Sequence, residues 1–284
     1  MSTSPLISAA ELQARLAAGT PVQIVDCSFD LADPAAGERL HQQARLPGAI
    51  RLHLDRDLSS AKTGRNGRHP LPTRETFAAT LAARGLRDDL PIVAYDQAGA
   101  MYAARAWWML RWLGHADVQV LDGGIGAWQA AGGALNSGPA RTLAAQPAFA
   151  LREPLQATLD YATLRASLGT PGRLIVDARA ADRFRGENET LDPVGGHIPG
   201  ALNRFFRLNL GADGCFKPAD TLRAEWQALL AGHTPDALVM QCGSGVTACH
   251  NLLALQAAGL AGATLYPGSW SEWCAQPDAV VATG

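Results

Sequence analysis

Residues 241–248 read Gln241-Cys242-Gly243-Ser244-Gly245-Val246-Thr247-Ala248. Just before them, Leu238-Val239-Met240 is a short apolar run that reads as a buried strand. Just after, Thr247 to Gln256 reads as a helix with Leu252, Leu253 and Leu255 available for burial. A cysteine between a strand end and a helix N-terminus meets several backbone N–H groups and the positive end of a helix dipole. Both favour the thiolate, the nucleophilic form. Gly243 and Gly245 let the loop wrap closely around an anion, because glycine tolerates positive φ and carries no side chain. A free cysteine is otherwise most often an inert core residue; this loop points to a reactive one.

Outward from that loop, the chain repeats itself at about half its length. Gln23-Ile24-Val25-Asp26 returns as Leu174-Ile175-Val176-Asp177, and Leu46-Pro47-Gly48-Ala49-Ile50 as Ile198-Pro199-Gly200-Ala201-Leu202. Ile92-Val93-Ala94-Tyr95-Asp96 matches Leu238-Val239-Met240-Gln241-Cys242. Asp122-Gly123 with Trp128 matches Pro267-Gly268 with Trp273. In the first half, Val22–Val25, Ile92–Tyr95 and Val118–Leu121 read as buried strands, and Met101 to Leu113 as a helix whose tryptophans Trp107, Trp108 and Trp112 belong to a core. Strands alternating with helices predict an α/β fold with one mainly parallel sheet, flanked by helices, in each half. The expected division is residues 1–133, a Gly/Ala/Pro-rich linker at 134–153, and residues 154–284 carrying Cys242. Asp96 stands where the second half has Cys242, so the first half is expected to be a scaffold that lends side chains to one shared site.

Of the 284 residues 48% are hydrophobic, which supplies packed cores and excludes wholesale disorder. The formal net charge is −2, with no like-charge block, so neither nucleic acid nor a membrane surface is an expected partner. The basic residues are almost all arginines, Lys62 and Lys217 being the only lysines; forked guanidinium donors suit oxyanions. Five cysteines (Cys27, Cys215, Cys242, Cys249, Cys274) show no metal-ligand spacing and are odd in number. No metal and no disulfide framework is expected, and a reducing compartment, the cytoplasm, fits best. Met1 to Leu16 lacks a basic region followed by an apolar run, and no apolar stretch is long enough to span a bilayer.

On these residues the chain resembles the tandem rhodanese-fold sulfurtransferases over nearly its whole length. Gly196-His197-Ile198-Pro199-Gly200-Ala201, Arg105-Ala106-Trp107-Trp108 and Gly268-Ser269-Trp270-Ser271-Glu272-Trp273 are further landmarks of that family. The Cys-Gly-Ser-Gly-Val-Thr loop is similar to that of its 3-mercaptopyruvate-using members, whereas thiosulfate-using members carry Arg and Lys at the places of Gly243 and Ser244. Thiosulfate is a dianion with a charged leaving group, which loop cations help. Mercaptopyruvate carries one carboxylate and leaves as an enolate that must collect a proton, which a neutral loop with a proton-handling partner suits better.

The resemblance implies a catalytic set of Cys242, Ser244, His69 and Asp55, with Asp57 the competing position for the last. Gly243, Gly245, Val246 and Thr247 are expected to line the substrate, and Arg183 to hold its carboxylate as a bidentate partner. A second arginine of the family is missing: its place falls near Asp192, and Arg185 or an arginine of the Arg65–Arg68 loop is left to replace it. Met101-Tyr102, where mercaptopyruvate enzymes place Tyr-Ser, is another departure and keeps thiosulfate open as donor. The expected chemistry is ping-pong sulfur transfer through a persulfide on Cys242, with no cofactor and with cyanide, glutathione or thioredoxin as acceptor. Arg179 and His197 are expected to be structural, and Cys249 packed.

Three other readings weigh less. Cysteine phosphatases need an arginine six residues after the cysteine, where Ala248 stands. Gly243-x-Gly245-x-x-Ala248 mimics a dinucleotide fingerprint, but near the C-terminus rather than in a first βαβ unit. A non-catalytic binding module would show the decay seen at Asp96, yet the second half keeps its cysteine and glycines.

Overall fold

Strands buried on both faces of a sheet are apolar over most of their length, and the central runs Ile92–Tyr95 and Leu238-Val239-Met240 are of that kind, the second closing on the buried Gln241. The computed structural model describes residues 4–140 and 143–284. The first sheet contains β1 (Leu6–Ile7), β2 (Gln23–Asp26), β3 (Ile50–Arg51), β4 (Ile92–Tyr95) and β5 (Val118–Leu121), in the order β1-β5-β4-β2-β3 and parallel throughout. The second contains β6 (Ala157–Thr158), β7 (Leu174–Asp177), β8 (Leu202–Asn203), β9 (Leu238–Gln241) and β10 (Thr264–Leu265), in the equivalent order β6-β10-β9-β7-β8, again parallel. The registers repeat as well: Gln23 pairs with Ile92 through Asp26 with Tyr95, and Leu174 with Leu238 through Asp177 with Gln241. Parallel neighbours need crossovers, and helices supply them, so the α/β class and the two flanked sheets agree with the sequence pattern.

One core gathers Ile7, Leu12, Ile24, Leu46, Val93, Tyr95, Leu121 and Trp128; the other Leu164, Ile175, Ile198, Val239, Tyr266, Trp270 and Trp273. Trp107 and Trp108 are fully buried, as their helical spacing suggested. Their helix runs Ala103–Trp112 and starts two residues later than the sequence pattern indicated. The cause is Asp96, whose carboxylate accepts the N–H groups of Tyr102 and Ala103 at 2.8 Å and so sets where the first turn begins. The helix after Cys242, Thr247–Ala257, is buried on nearly every side rather than on one stripe.

Two short segments cross the division expected from the repeat. The chain forms two compact units, one of Met1–Ser59, Pro72–Leu155 and Leu210–Phe216, the other of Ser60–Leu71, Gln156–Asn209 and Lys217–Gly284. Residues 60–71 therefore belong with Cys242, although they lie within the first half of the sequence. The expected linker has no helix or strand over its described residues; Arg141 and Thr142 lie outside them. Among the described residues no helix is long and apolar enough to cross a membrane, and no group of three or more His, Cys, Asp or Glu side chains could hold a metal ion.

Candidate active site

Cys242 is the first residue after β9, the middle strand of its sheet, and is 2% exposed. Its N–H donates to Ser269 Oγ at 3.1 Å, and its carbonyl accepts from Trp270 N–H at 2.9 Å. The Gly243 carbonyl accepts from Ser271 N–H at 2.9 Å. The helix Ser269–Trp273 thus fixes the loop through backbone bonds, which is why the Gly-Ser-Trp-Ser-Glu-Trp run accompanies the cysteine. Ser269 Oγ donates in turn to Tyr266 O at 3.0 Å, and its backbone sits at φ 55°, in the left-handed region. Gly245 has φ 75°, and a Cβ there would run into the Pro267 carbonyl, so only glycine fits that bend. Cys249 is buried and donates its thiol to Gly245 O at 3.3 Å, a packed role as expected.

His69 Nδ1 and Ser244 Oγ lie 2.7 Å apart, both side chains buried. A histidine that follows the polar run Lys62 to Arg68 would ordinarily face solvent. Here the segment is pinned from both sides. Arg68 N–H donates to Ser271 Oγ at 3.0 Å, and Gln276 Nε2 donates to Arg65 O at 2.8 Å. Gly67, at φ 84°, packs so closely on Gly268 that a Cβ would come within 2.9 Å of its carbonyl. Asp55 lies on the short helix Leu54–Asp57 of the other unit, where its N–H donates to His53 Nδ1 at 3.1 Å. Its rival Asp57 is committed elsewhere. Asp57 accepts His53 N–H at 2.7 Å through one oxygen, and Arg84 Nη2 and Nε at 2.7 and 3.1 Å through the other.

Arg183 is held from behind by Glu189, which accepts from Nη2 at 2.8 Å and from Nε at 3.1 Å. Burial opposes ionisation of Glu189, but the Leu191 N–H and Arg183 outweigh it and keep the carboxyl below its usual range. The guanidinium of Arg183 stands over Gly243, its Nη2 and Nη1 3.6 and 3.7 Å from the point where a Cβ would project. Arg68 Nη2 reaches the same point, at 2.8 Å, while Arg68 Nη1 pairs with Asp192. Of the two alternatives for a second arginine, Arg185 instead pairs with the exposed Glu187. The sequence offered Arg68 only as one of several arginines, and Glu189 not at all.

Arg179 is fully buried against Asp177, bonded at 2.7 Å to Asp177 Oδ2 and at 2.7 Å to the Gly196 carbonyl. Its guanidinium also lies 4.8 Å from the centre of the Trp270 ring. Burial works against its charge, yet Asp177 and Glu189 outweigh it and push its pKa up. His197 stacks on Phe184 and bonds Phe184 O at 2.9 Å, a support for its turn.

The loop of the first unit is built alike but filled. Asp96 accepts four backbone N–H groups, from Ala98 and Ala100 on one oxygen and from Tyr102 and Ala103 on the other, at 2.8–2.9 Å.

The family model described as a rhodanese-like domain matches residues 8–131 and again residues 160–276. The chain belongs to the rhodanese family. Among rhodanese relatives, a Pseudomonas aeruginosa protein named "Probable 3-mercaptopyruvate sulfurtransferase" is 49% identical over 286 residues, covering 100% of both chains. Thiosulfate sulfurtransferase of Cricetulus griseus is 33% identical over 281 residues, covering 94% of this chain and 90% of its own. The crystal structure of SseA from Escherichia coli, described as a 3-mercaptopyruvate sulfotransferase, superposes with a TM-score of 0.79 at 31% identity. It covers 94% of this chain and 99% of that one.

Proposed function

We propose that this rhodanese moves a sulfur atom from 3-mercaptopyruvate to a thiol or to cyanide, with Cys242 as the carrier. The observation that carries the reading is the buried pair of Ser244 and His69, 2.7 Å apart, within a loop that has no charged side chain of its own beside Cys242. The Cys242 thiolate attacks the donor sulfur, and a Cys–S–S bond forms as the carbon–sulfur bond breaks. The electron pair of that bond goes to the carbon fragment, which leaves as the enolate of pyruvate. That enolate needs a proton, and Ser244 backed by His69 relays one. Backbone N–H groups of the loop from Gly243 to Thr247 would cradle the outer sulfur. An acceptor then takes the sulfur: cyanide gives thiocyanate, glutathione a persulfide, and the dithiol of thioredoxin a disulfide with release of sulfide. A cytoplasmic thiol pool suits this second half-reaction.

The Cricetulus griseus relative, named for thiosulfate, supports a second donor, with sulfite as the leaving group. Mass spectrometry of the intact chain after mercaptopyruvate, without acceptor, tests the scheme. One added sulfur atom is expected on wild type and none on Cys242→Ser. A wild type that gains no sulfur from either donor would be a binding module instead.

A further inference from the structure

Two guanidinium groups that converge on one bare Cα form an anion site, provided that each keeps an edge free and is held rigidly from the other side. Arg68 and Arg183 meet these conditions at Gly243. Arg68 Nη2 and Arg183 Nη1 lie 2.8 and 3.7 Å from the point where a side chain at 243 would begin. Among the described residues neither of these two nitrogens carries a hydrogen bond, whereas the other edges are occupied by Asp192 and Glu189. Both acids are buried, with side chains 3% exposed, so the arginines are anchored from below and open towards the loop. The backbone of Arg68 is fixed as well, by Ser271 Oγ.

We propose that Arg68 is a donor-binding residue, which grips the substrate carboxylate together with Arg183, and that Asp192 is the residue that positions it. This rests on the reading of mercaptopyruvate as donor and specifies how its carboxylate is held.

The charge count indicates which donor such a clamp prefers. The ion pairs join three arginines (Arg68, Arg179, Arg183) to three carboxylates (Asp177, Glu189, Asp192), so the cluster has no net formal charge. Asp192 lies within reach of both clamp arginines, with Oδ2 3.6 Å from Arg183 Nη2. A singly charged carboxylate needs two forked donors and little more. A dianion approaching a thiolate needs net positive charge, which Asp192 cancels. Gly243 belongs to the same design, since any side chain there would displace the Arg68 guanidinium.

The test is steady-state thiocyanate formation from cyanide with mercaptopyruvate or thiosulfate as donor. Arg68→Gln should raise KM for mercaptopyruvate roughly 10- to 100-fold, with kcat changed only a few-fold, the loss expected for one charge-assisted pair. Arg65→Gln, an exposed neighbour on the same segment, should leave KM unchanged. Asp192→Asn adds one net positive charge to the cluster and should move the kcat/KM ratio of the two donors towards thiosulfate by about tenfold. Because Arg68→Gln leaves Asp192 buried beside fewer cations, the double variant Arg68→Gln/Asp192→Asn repeats the KM measurement should the single variant not fold. A wild type active on mercaptopyruvate whose KM is unmoved in both Arg68 variants overturns the clamp alone. A wild type inactive with mercaptopyruvate overturns the donor reading, and the clamp with it.

Discussion

Asp96 and Cys242 occupy the same place in their two sheets: each is the first residue after the middle strand, at the mouth of a loop that turns into a buried helix. Asp96 brings its own anion and spends it on four N–H groups of its loop, so that nest is permanently filled. On the reading proposed above, the loop after Cys242 cradles the transferred sulfur instead.

Asp96→Ala should therefore destabilise the first unit without touching the chemistry. Each buried N–H left without an acceptor costs about 1–3 kcal/mol. Burial raises the Asp96 pKa in spite of those four bonds, so removing the carboxylate also relieves a desolvation cost. A net loss of about 2–3 kcal/mol is expected in urea unfolding, with the KM of the folded enzyme unchanged.

His69→Gln should lower kcat with mercaptopyruvate by roughly 10²-fold, the usual contribution of a proton-transfer group. The loss with thiosulfate should be smaller, since sulfite leaves without needing a proton. Equal losses on the two donors would assign His69 to holding Ser244 in place and nothing more.

Gly245→Ala forces a side chain into the left-handed region and against the Pro267 carbonyl. A destabilisation of about 1–3 kcal/mol is expected from the backbone conformation alone. The loop must shift to relieve the clash, so persulfide formation should fall in the same variant, read by intact-mass analysis.

Glu189 gives a pH dependence of known sign. Its folded-state pKa lies below the ordinary value of 4.5, so on acidification the unfolded chain takes up the proton first. The stability it contributes is complete above 4.5 and is lost as pH falls through the folded-state value. Urea midpoints of wild type and Glu189→Gln should accordingly differ most near neutral pH and draw together as pH falls below 4.5.

Much of this was legible in the chain. The strands at 92–95 and 118–121 have the bounds their sequence suggested, and the buried polar Gln119 of the second is accommodated because its Nε2 donates to the Ser4 and Leu6 carbonyls. The repeat gave the two sheets, and the Gly-Ser-Gly run gave the turn from β9 into the buried helix. The path of residues 60–71 was not legible. Lys62 to Arg68 has no apolar period, and its place depends on Ser271 and Gln276, more than 200 residues away. The pairing of Arg68 with Asp192 was hidden for the same reason: both are polar loop residues, and only the folded chain brings them together.

The two exchanged segments also bear on how the protein is made. Leu210–Phe216 completes the first unit, where Phe216 N–H donates to Asp122 Oδ1 at 2.8 Å. A ribosome that has just finished Leu155 has therefore delivered a first unit still lacking a piece, and a stretch, Ser60–Leu71, whose docking surface does not yet exist. Cutting the gene at the linker would give fragments with the same two defects. The repeat in the sequence records two similar parts, but synthesis has to run well past the midpoint before either one can close.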